Sequence, residues 1–483
     1  MKKSLTINAA LNALRQTLAI IFPLITFPYV SRVLGNTQYG QYSFSASIIS
    51  YFMLIATFGI NNYAVREGAR VREDKEKIQK FVSDLFTISL ITTTISLVIL
   101  LSLTFISNKI FGYRELILIQ SLSIILTAIG VDWINTIYED FLYITIRYII
   151  IQIIALFAVF LFVRGPEDTA KYCLILVIGS YGGNLVNLFY IRRYVKLRIN
   201  FKVNLKRYFV PLFLLFVNSL ATVIYVNSDI TMLGFFANDQ QVGVYSFSSK
   251  IYNMVKYLIN AILVVTVPRL AFILGNDENN YKRYLNNIFN VLILILAPCV
   301  AGLCLLSEPI IMLLGGEQYL SGNSSLIILS FSLIFALIAS VFSNCILIIN
   351  RLEKRCLVGT ITSAAVNVAL NFILIPTIGI TGAAITTVLA ECINMIIQAH
   401  YSYKDLDIKL CLNKWVCIIA TIEVIAIMTF CIGSAFIFNE HSTVGSLLRI
   451  TFSIVCSAVS YVFLLRIFKR RLEGAIDISL FKK

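Results

Sequence analysis

Charged side chains lie inside apolar stretches of this sequence, where they could interact with ions, protons or charged ligands. Lys250 and Lys256 lie in the apolar stretch 241–268, and Asp229 lies near the end of the stretch before it. In a helix that begins near Gln241, the two lysines would stand roughly 14 and 22 Å along the axis, too deep to reach water easily. Holding a cation at that depth costs at least about 2.5–3.5 kcal/mol. We therefore expect an anion or a water-filled cavity beside each lysine.

Two interpretations of the lysines are open. Asp229 would stand at a similar depth across a hairpin from Lys250, so these two residues could form a structural ion pair. Lys256 has no obvious acidic partner on the adjacent helix, which favours contact with a ligand. Glu391 and Glu423 also lie in apolar stretches, where a carboxyl group can carry a proton, bind sodium or hydrogen-bond to another helix.

Three arginines lie within apolar stretches or at their ends. Arg32 and Arg449 lie close enough to an end for a long side chain to reach the interface with water. Arg15 lies one to two helical turns inside its stretch, so both a position at the interface and contact with a ligand are open.

Long apolar helices must hold these residues. Of the 483 residues, 58% are hydrophobic and 13% are charged, and the mean hydropathy is +0.85. Segments of about 20 apolar residues, enough to cross roughly 30 Å of hydrocarbon, recur throughout the chain. We predict an all-α integral membrane protein with about fourteen transmembrane helices, numbered 1 to 14 in chain order. Their predicted ranges are 10–33, 41–64, 81–107, 114–133, 145–163, 172–191, 208–234, 241–268, 285–306, 323–349, 357–375, 379–399, 415–438 and 445–467.

Lysine and arginine are concentrated in alternate loops. Roughly 31 of the 40 fall on one side of the predicted membrane and about four on the other. Because cytoplasmic loops are enriched in these residues, both termini are predicted to be cytoplasmic. The same bias accounts for the net charge of +15 without a nucleic-acid partner. The first apolar run is too long for a cleaved signal peptide, so helix 1 is predicted to be retained.

An internal repeat relates the two halves of the chain. Residues 39–48 (YGQYSFSASI) align with residues 242–251 (VGVYSFSSKI), and a Leu-Gly pair precedes the turn in both copies. Such a repeat in an apolar chain indicates two related bundles with a site between them. Lys250 of the second copy stands where the first copy has Ser47. The predicted domains are a six-helix bundle at 1–200, a pseudo-symmetric six-helix bundle at 201–405, and helices 13 and 14 with a cytoplasmic tail at 406–483.

Polar side chains recur at helical spacing in helices 1, 2, 7 and 8. Side chains so spaced share one face of a helix, and lipid offers them no hydrogen-bond partner. We predict that the four faces line a common hydrated cleft. Their residues are Asn8, Asn12, Arg15 and Thr26; Ser43, Ser47, Ser50, Thr57 and Asn61; Asn218, Thr222, Tyr225 and Asp229; and Ser246, Ser249 or Lys250, Asn253, Lys256 and Asn260.

Motifs for the common enzymatic chemistries are missing from the sequence. There is no phosphate-binding G-x-x-x-x-G-K-[ST] and no nucleophile elbow G-x-S-x-G. His400 and His441 are the only histidines, and the ten cysteines form no C-x-x-C pair, so we predict no metal site. The loops are also too short for a catalytic domain. We predict a transport function without enzymatic activity, and a membrane glycan polymerase or ligase is the less favoured alternative.

Several motifs are distributed over most of the chain, from about Leu11 to His400. They are Ser31-Arg-Val-Leu-Gly35 with Tyr39-Gly40, Tyr143-Ile-Thr-Ile-Arg147, Asp229-Ile-Thr-Met-Leu-Gly234 with Val242-Gly-Val-Tyr-Ser246 and Lys250-Ile251, and Asn371-Phe-Ile-Leu-Ile-Pro376 with Gly379-Ile-Thr-Gly-Ala-Ala384 and Ala390-Glu391. In combination they resemble the polysaccharide repeat-unit flippases of the multidrug/oligosaccharidyl-lipid/polysaccharide exporter superfamily. The resemblance implies a two-lobe fold of fourteen, sometimes twelve, helices that alternates between inward-open and outward-open states.

The resemblance also implies a substrate, an undecaprenyl-pyrophosphate-linked oligosaccharide moved across the bacterial cytoplasmic membrane for O-antigen or capsule synthesis. Polysaccharide polymerases and glycosyltransferases would be partners, no cofactor is expected, and coupling to H+ or Na+ is open. The turn 36–39 lacks the acidic residue of the lipid II flippases, which argues against a peptidoglycan precursor. The candidate substrate-binding residues are Arg15, Arg32, Lys250, Lys256, Asn218, Asn253 and Asn260, and the candidate switch or ion-coupling residues are Asp229, Glu391 and Glu423.

The main rival is an organic-cation antiporter of the same superfamily. A cleft that exports cations should be net acidic, whereas the residues gathered here are mainly basic. We therefore favour the flippase.

Overall fold

Helices make up the regular structure of the computed structural model, which describes residues 5–438 and 442–473; no strand occurs in these ranges. Within them, twelve helices are long and apolar enough to cross a membrane. Helices suit a membrane because every backbone N–H and C=O can be satisfied within the segment itself. The predicted all-α membrane class is confirmed.

Two of the helices are long enough to cross a membrane twice. They are α1 (Leu5–Thr57) and the helix Glu353–Leu406, with 53 and 54 residues, or about 80 Å each. Each contains one glycine with a non-helical backbone, Gly35 (φ 77°) and Gly379 (φ 59°). Glycine adopts positive φ without a steric cost, so a helix can bend sharply there. A double crossing by both helices would give fourteen spans, and that count stays a prediction.

The chain forms two compact units, Met1–Gly243 and Val244–Lys483. The predicted domain ends at residues 200 and 405 stay predictions. The helices of the first unit that follow α1 are α2 (Ile60–Val71), α3 (Lys75–Ile106), α4 (Asn108–Phe111), α5 (Arg114–Gly130), α6 (Asp132–Ile137), α7 (Phe141–Phe162), α8 (Thr169–Val177), α9 (Gly183–Tyr190) and α10 (Leu205–Phe236). Short 3-10 or π-helical segments are Pro166–Asp168, Ile178–Gly182 and Ile191–Arg193.

Helix α1 is central to the first unit, because α3, α5, α7 and α10 all pack against it. A cluster of buried residues lies where α2, α6 and the beginnings of α3 and α10 meet, and it includes Tyr63, Leu85 and Trp133. The loop before α10 closes over this cluster. Its backbone is held by α3, since the N–H of Lys196 donates to Gln79 Oε1 at 2.9 Å.

Two predicted transmembrane helices end earlier than expected. Helix 2, predicted to run to residue 64, ends at Thr57, and Phe58 (φ 40°) and Gly59 (φ 74°) reverse the backbone. Helix 4, predicted to run to residue 133, ends at Gly130 and is followed by Val131 (φ 42°). The carbonyl groups left by such breaks need new donors. The Thr92 hydroxyl donates to Ala56 O at 2.7 Å, and Asn184 Nδ2 and Asn187 Nδ2 donate to Leu126 O and Gly130 O.

The second unit contains the greater part of α11 (Asp239–Asn276). Its other helices are α12 (Glu278–Leu305), α13 (Ser307–Leu314), α14 (Asn323–Ser340), α15 (Glu353–Leu406), α16 (Lys414–Ile437), α17 (Thr443–Ile467) and α18 (Lys469–Glu473), with a 3-10 segment at Glu317–Gly322 and a π-helical segment at Val341–Leu347. Helix α12 packs against α14 and α16, and α14 packs along α15. The loop before α16 is also held by amide side chains, because the N–H groups of Cys411 and Asn413 donate to Asn286 and Asn290 of α12.

Two glycines of the internal repeat lie against each other within the first unit. A Cβ atom on Gly40 would stand 1.9 Å from Asp239 O and 2.8 Å from Gly243 N, and a Cβ atom on Gly243 would stand 1.7 Å from Asn36 O. No side chain fits such distances. The close approach of the two backbones explains why both copies of the repeat have glycine at this position.

Candidate functional site

The best-defined ionisable site in the described part of the second unit joins α11 to α15. Lys256 Nζ lies 2.6 Å from Glu391 Oε1, so the two residues form an ion pair. The Glu391 side chain is 4% exposed and the Lys256 side chain is 25% exposed. The carboxylate is therefore enclosed by protein, whereas part of the lysine remains accessible.

Neutral side chains surround the ion pair. Tyr252 lies one helical turn before Lys256 on α11, so the two side chains share a face. The Tyr252 hydroxyl lies 3.5 Å from Glu391 Oε1 and 3.4 Å from Ser332 Oγ of α14, and the Lys256 ammonium lies 5.5 Å from the centre of the Tyr252 ring. One turn before Glu391, Thr387 Oγ1 lies 3.3 Å from the Tyr245 hydroxyl. The polar faces of α11 and α15 therefore meet over about three turns of α11 and one turn of α15.

This pair changes the interpretation of Lys256. The sequence offers no acidic partner on the adjacent helix, and from that observation we inferred a ligand. The structure supplies the partner from α15, which is distant in sequence. Glu391 compensates the lysine charge, so a ligand is not required to explain why a cation lies in this helix. Contact between Lys256 and a substrate stays a prediction.

The remaining candidates on α11 have different surroundings. Lys250 is half-buried, and among the described residues of the second unit it has no ion-pair partner. Asn253 Nδ2 donates to Ser249 O of its own helix at 2.9 Å. Asn260 Oδ1 accepts a hydrogen bond from Ser340 Oγ, which ties α11 to α14. The structure thus gives Asn260 a packing role and leaves the proposed role of Lys250 untested.

Glu423 lies in the pair of C-terminal helices. Its side chain is buried, and the Ser460 hydroxyl of α17 lies 3.0 and 3.3 Å from its two oxygens. A hydrogen bond between neighbouring helices was one of the roles left open for this residue. Arg449, also on α17, is buried, so the expectation that its side chain reaches the interface is wrong. The guanidinium lies close to Cys431 of α16.

The candidates of the first unit divide into buried and exposed residues. Asp229 of α10 is buried and interacts electrostatically with Tyr51 of α1. Two residues further along, the Thr231 hydroxyl donates to Ser47 Oγ at 2.9 Å. The helices predicted as 2 and 7 therefore contact each other, but Thr231 lies outside the polar face predicted for helix 7, and the common cleft stays a prediction. Asn218 is exposed.

Arg15 and Arg32, both on α1, differ in exposure. Arg15 is half-buried, its Nη2 donates to Asn12 Oδ1 at 3.4 Å, and it interacts electrostatically with Tyr148 of α7. Its Nε has no partner among the described residues. Arg32 is exposed, as expected for a side chain that reaches the interface. Arg15 is thus the better placed of the two for a ligand inside the bundle.

One ionic network escaped the sequence analysis. Arg147 Nη2 lies 2.7 Å from both carboxylate oxygens of Asp132, and Asn187 Nδ2 donates to the same carboxylate at 3.1 Å. The Arg147 side chain is 9% exposed and lies six residues into α7, which begins at Phe141. The predicted start of helix 5 at residue 145 places Arg147 at its end, and Arg147 is therefore not counted among the predicted intramembrane cations.

Helices that cross a membrane and carry paired charges in their interior are typical of multi-pass membrane transporters. Solved structures of transporters share the fold. A lipid II flippase MurJ in an inward closed conformation matches with a TM-score of 0.73 at 19% identity, over 95% of this chain and 98% of that chain. An inward-facing multidrug resistance MATE transporter of the MOP superfamily matches with a TM-score of 0.61 at 14% identity, over 80% of this chain and 94% of that chain. At such identities the likeness is one of fold alone.

Sequence comparison gives the family. Residues 5–274 match the family described as "Polysaccharide biosynthesis protein", and the chain belongs to that family. The resemblance inferred from the motifs is thereby confirmed.

Individual relatives match over part of their length. A protein named O-antigen transporter from Escherichia coli (strain K12) is 22% identical over 275 residues, which are 56% of this chain and 66% of the relative. A protein named low-salt glycan biosynthesis flippase from Haloferax volcanii is 24% identical over 196 residues, which are 40% of this chain and 41% of the relative. The matched regions therefore span less than two thirds of these relatives.

Proposed function

We propose that the chain is a flippase that moves an undecaprenyl-pyrophosphate-linked oligosaccharide across the bacterial cytoplasmic membrane by alternating access, for synthesis of a surface polysaccharide. The transported unit would enter from the cytoplasmic leaflet, and both termini would be cytoplasmic. One observation carries the proposal. In a chain of this family, Lys256 is a partly exposed cation within a membrane-spanning helix, and an enclosed carboxylate compensates its charge.

The geometry suits reversible binding of a pyrophosphate. A lysine ammonium has three N–H donors, and one of them is used by Glu391. The exposed side of Lys256 can therefore offer the remaining donors to a phosphate oxygen. When no substrate is bound, Glu391 neutralises the lysine and lowers the cost of its position in the membrane. When substrate is bound, the carboxylate and the pyrophosphate would compete for one cation, which favours release.

Other residues have supporting parts in the proposal. Arg15 and Lys250 would bind phosphate oxygens, and polar side chains such as Asn253 would bind sugar hydroxyls. Glu391 would act as the switch. Coupling to H+ or Na+ through Asp229, Glu391 or Glu423 is a further part of the proposal, as are a polysaccharide polymerase and glycosyltransferases as partners. We expect no cofactor and no enzymatic activity.

A second candidate function has its own support. The fold also matches a multidrug resistance transporter. An organic cation, the substrate expected of this rival, would be repelled by Lys250, which has no ion-pair partner among the described residues of the second unit. The charge of the candidate site therefore favours an anionic substrate over a cationic one.

Reconstitution into liposomes would test the choice between the two functions. The purified protein should move a pyrophosphate-linked oligosaccharide to the opposite leaflet and should not accumulate ethidium. Replacement of Lys256 or Lys250 by Ala should lower the flipping rate at least tenfold, with normal membrane insertion. Lys282→Ala, which removes a lysine from a surface ion pair with Glu278 in the same unit, is the matched control and should retain activity. Transport of ethidium without flipping of any pyrophosphate-linked sugar would refute the proposal.

A further inference from the structure

A strongly basic segment runs from the 3-10 turn that follows α9 into the first residues of α10. We call residues 192–207 the basic connector. It contains no Asp or Glu, and its seven cations are Arg192, Arg193, Lys196, Arg198, Lys202, Lys206 and Arg207. All seven are exposed. Arg193 is engaged by Asp140 in an ion pair, which leaves most of the positive charge without an acidic partner inside the connector.

Hydrogen bonds to α3 fix the backbone of the connector. Besides the bond between Lys196 and Gln79, the N–H of Asn200 donates to Thr87 Oγ1 at 2.9 Å, and Asn200 Nδ2 donates to Asp84 Oδ1 at 2.6 Å. The other Asp84 oxygen accepts a bond from the Tyr208 hydroxyl at 2.9 Å. The segment is therefore a defined surface, although it is not helical between Val195 and Asn204.

Two large apolar side chains project from this surface. Phe201 is 92% exposed and Ile199 is 52% exposed, and they are flanked by Arg198 and Lys202, which are also exposed. Such exposure of a phenylalanine in water is unfavourable, and apolar residues flanked by cations are typical of segments that lie at a membrane interface. The described residues of the first unit leave Phe201 almost wholly uncovered and about half of Ile199 uncovered.

The position of the connector limits what can cover it. The candidate membrane spans on either side end at Arg193 and begin at Leu205. Only eleven residues connect the two spans, so the connector must stay close to the membrane surface. Phe201 therefore lies within reach of lipid. By the distribution of charge, this surface is predicted to be cytoplasmic, where anionic lipids create a negative potential that decays over about 10 Å.

We propose that the basic connector binds the headgroups of anionic phospholipids, with Ile199 and Phe201 inserted among the acyl chains. Arg198 and Lys202 would contact the phosphates on either side. The hydrogen bonds to α3 hold these groups in place, so binding does not require ordering of the loop. This proposal does not depend on the identity of the transported substrate.

A second basic segment of the same unit, formed by the end of α2, a short turn and the beginning of α3, lacks these properties. Residues 66–80 contain six Lys and Arg, but also Glu67, Glu73, Asp74 and Glu76. Several of these charges are paired, as in the contact of 3.0 Å between Arg70 and Glu67. The exposed Lys75 and Lys80 of this segment therefore serve as matched controls, with the same number of charges removed.

Native mass spectrometry of the full-length protein would test the proposal, with phosphatidylglycerol and phosphatidylcholine of the same chain length as probes. The wild type should bind phosphatidylglycerol at least about tenfold more tightly. The double variant R198Q/K202Q should lose most of that preference, with binding of phosphatidylcholine unchanged. F201A should weaken the binding of both lipids.

Three results would overturn the proposal. One is equal affinity of the wild type for the two lipids. Another is a loss of phosphatidylglycerol binding in the control variant K75Q/K80Q as large as that in R198Q/K202Q. It would show that the total charge matters and that the connector does not. The third uses undecaprenyl pyrophosphate as an additional probe. If R198Q/K202Q lost affinity for that lipid and kept its affinity for phosphatidylglycerol, the connector would be a receptor for the transported lipid.

Discussion

The ion pair between Lys256 and Glu391 is expected to be coupled energetically, and a double-mutant cycle can measure the coupling. The variants are Lys256→Met, Glu391→Gln and the double variant. Removing one member of a fully buried pair leaves an uncompensated charge and costs about 3–5 kcal/mol. In Glu391→Gln the remaining Lys256 side chain is 25% exposed and can regain some hydration, so we expect about 3 kcal/mol. In Lys256→Met the remaining carboxylate is 4% exposed, so we expect about 4 kcal/mol.

The double variant should be less destabilised than the sum of the two single variants. Once both charges are absent, neither is left unpaired, and we expect a coupling free energy of about 2 kcal/mol. The unfolding free energy would be measured in mixed micelles, where the folded and unfolded states can be compared reversibly. A flipping assay on the same variants separates stability from function. Glu391→Gln should bind the pyrophosphate more tightly and release it more slowly.

A surface pair in the same unit provides the comparison. Lys282 Nζ lies 2.9 Å from Glu278 Oε1 one helical turn away, and the two side chains are 38% and 68% exposed. Such pairs contribute about 0.3–0.5 kcal/mol. If the coupling free energy between Lys256 and Glu391 is no larger than this value, the carboxylate does not compensate the lysine charge. The proposal that Glu391 neutralises Lys256 when no substrate is bound would then be wrong.

Three further predictions concern backbone geometry and the connector. Gly40→Ala should destabilise the protein by about 1–3 kcal/mol, because its Cβ would overlap a facing backbone oxygen, whereas Gly433→Ala, which has open space around it, should be neutral in thermal unfolding. Arg351→Gly should raise the unfolding free energy by about 0.5–1 kcal/mol, since Arg351 is exposed at φ 62°; an unchanged value would show that the position is not strained. Thr87→Val should speed hydrogen exchange at the Asn200 amide about fivefold, because it removes the acceptor; unchanged exchange would show that the bond does not hold the connector.

The sequence was sufficient to predict the membrane class and the residues on which the site depends. Long apolar stretches report a helical membrane protein directly, because a bilayer core must be crossed by about 20 apolar residues. A charged residue inside such a stretch is equally conspicuous. Lys256 and Glu391 were both visible in this way, but their pairing was not. The two residues are 135 positions apart, and the helical periodicity of each segment says nothing about which distant segment it faces.

Breaks within helices were only partly predictable. Gly35 and Gly379 are glycines at which a bend is unsurprising. Val131 is different, because a β-branched residue at positive φ is disfavoured, and no local pattern indicates it. The break is stabilised by Asn184 and Asn187, which come from another helix. Tertiary contacts thus override the local preference, and such contacts cannot be deduced from a single sequence.

The two copies of the repeat have taken different chemical roles at corresponding positions. In the first copy Ser47 accepts a hydrogen bond from Thr231, a neutral contact between two helices. In the second copy the corresponding residue is Lys250, and one and a half turns later Lys256 carries a charge that is balanced by Glu391. If the first copy mainly packs and the second binds, then Ser47→Ala should affect stability with little change in the flipping rate per folded molecule. Lys250→Ala should lower that rate while stability is retained. If Ser47→Ala were instead inactive but folded, the binding residues would lie in the first copy. The presence of a lysine in the second copy alone would then not mark the copy that binds.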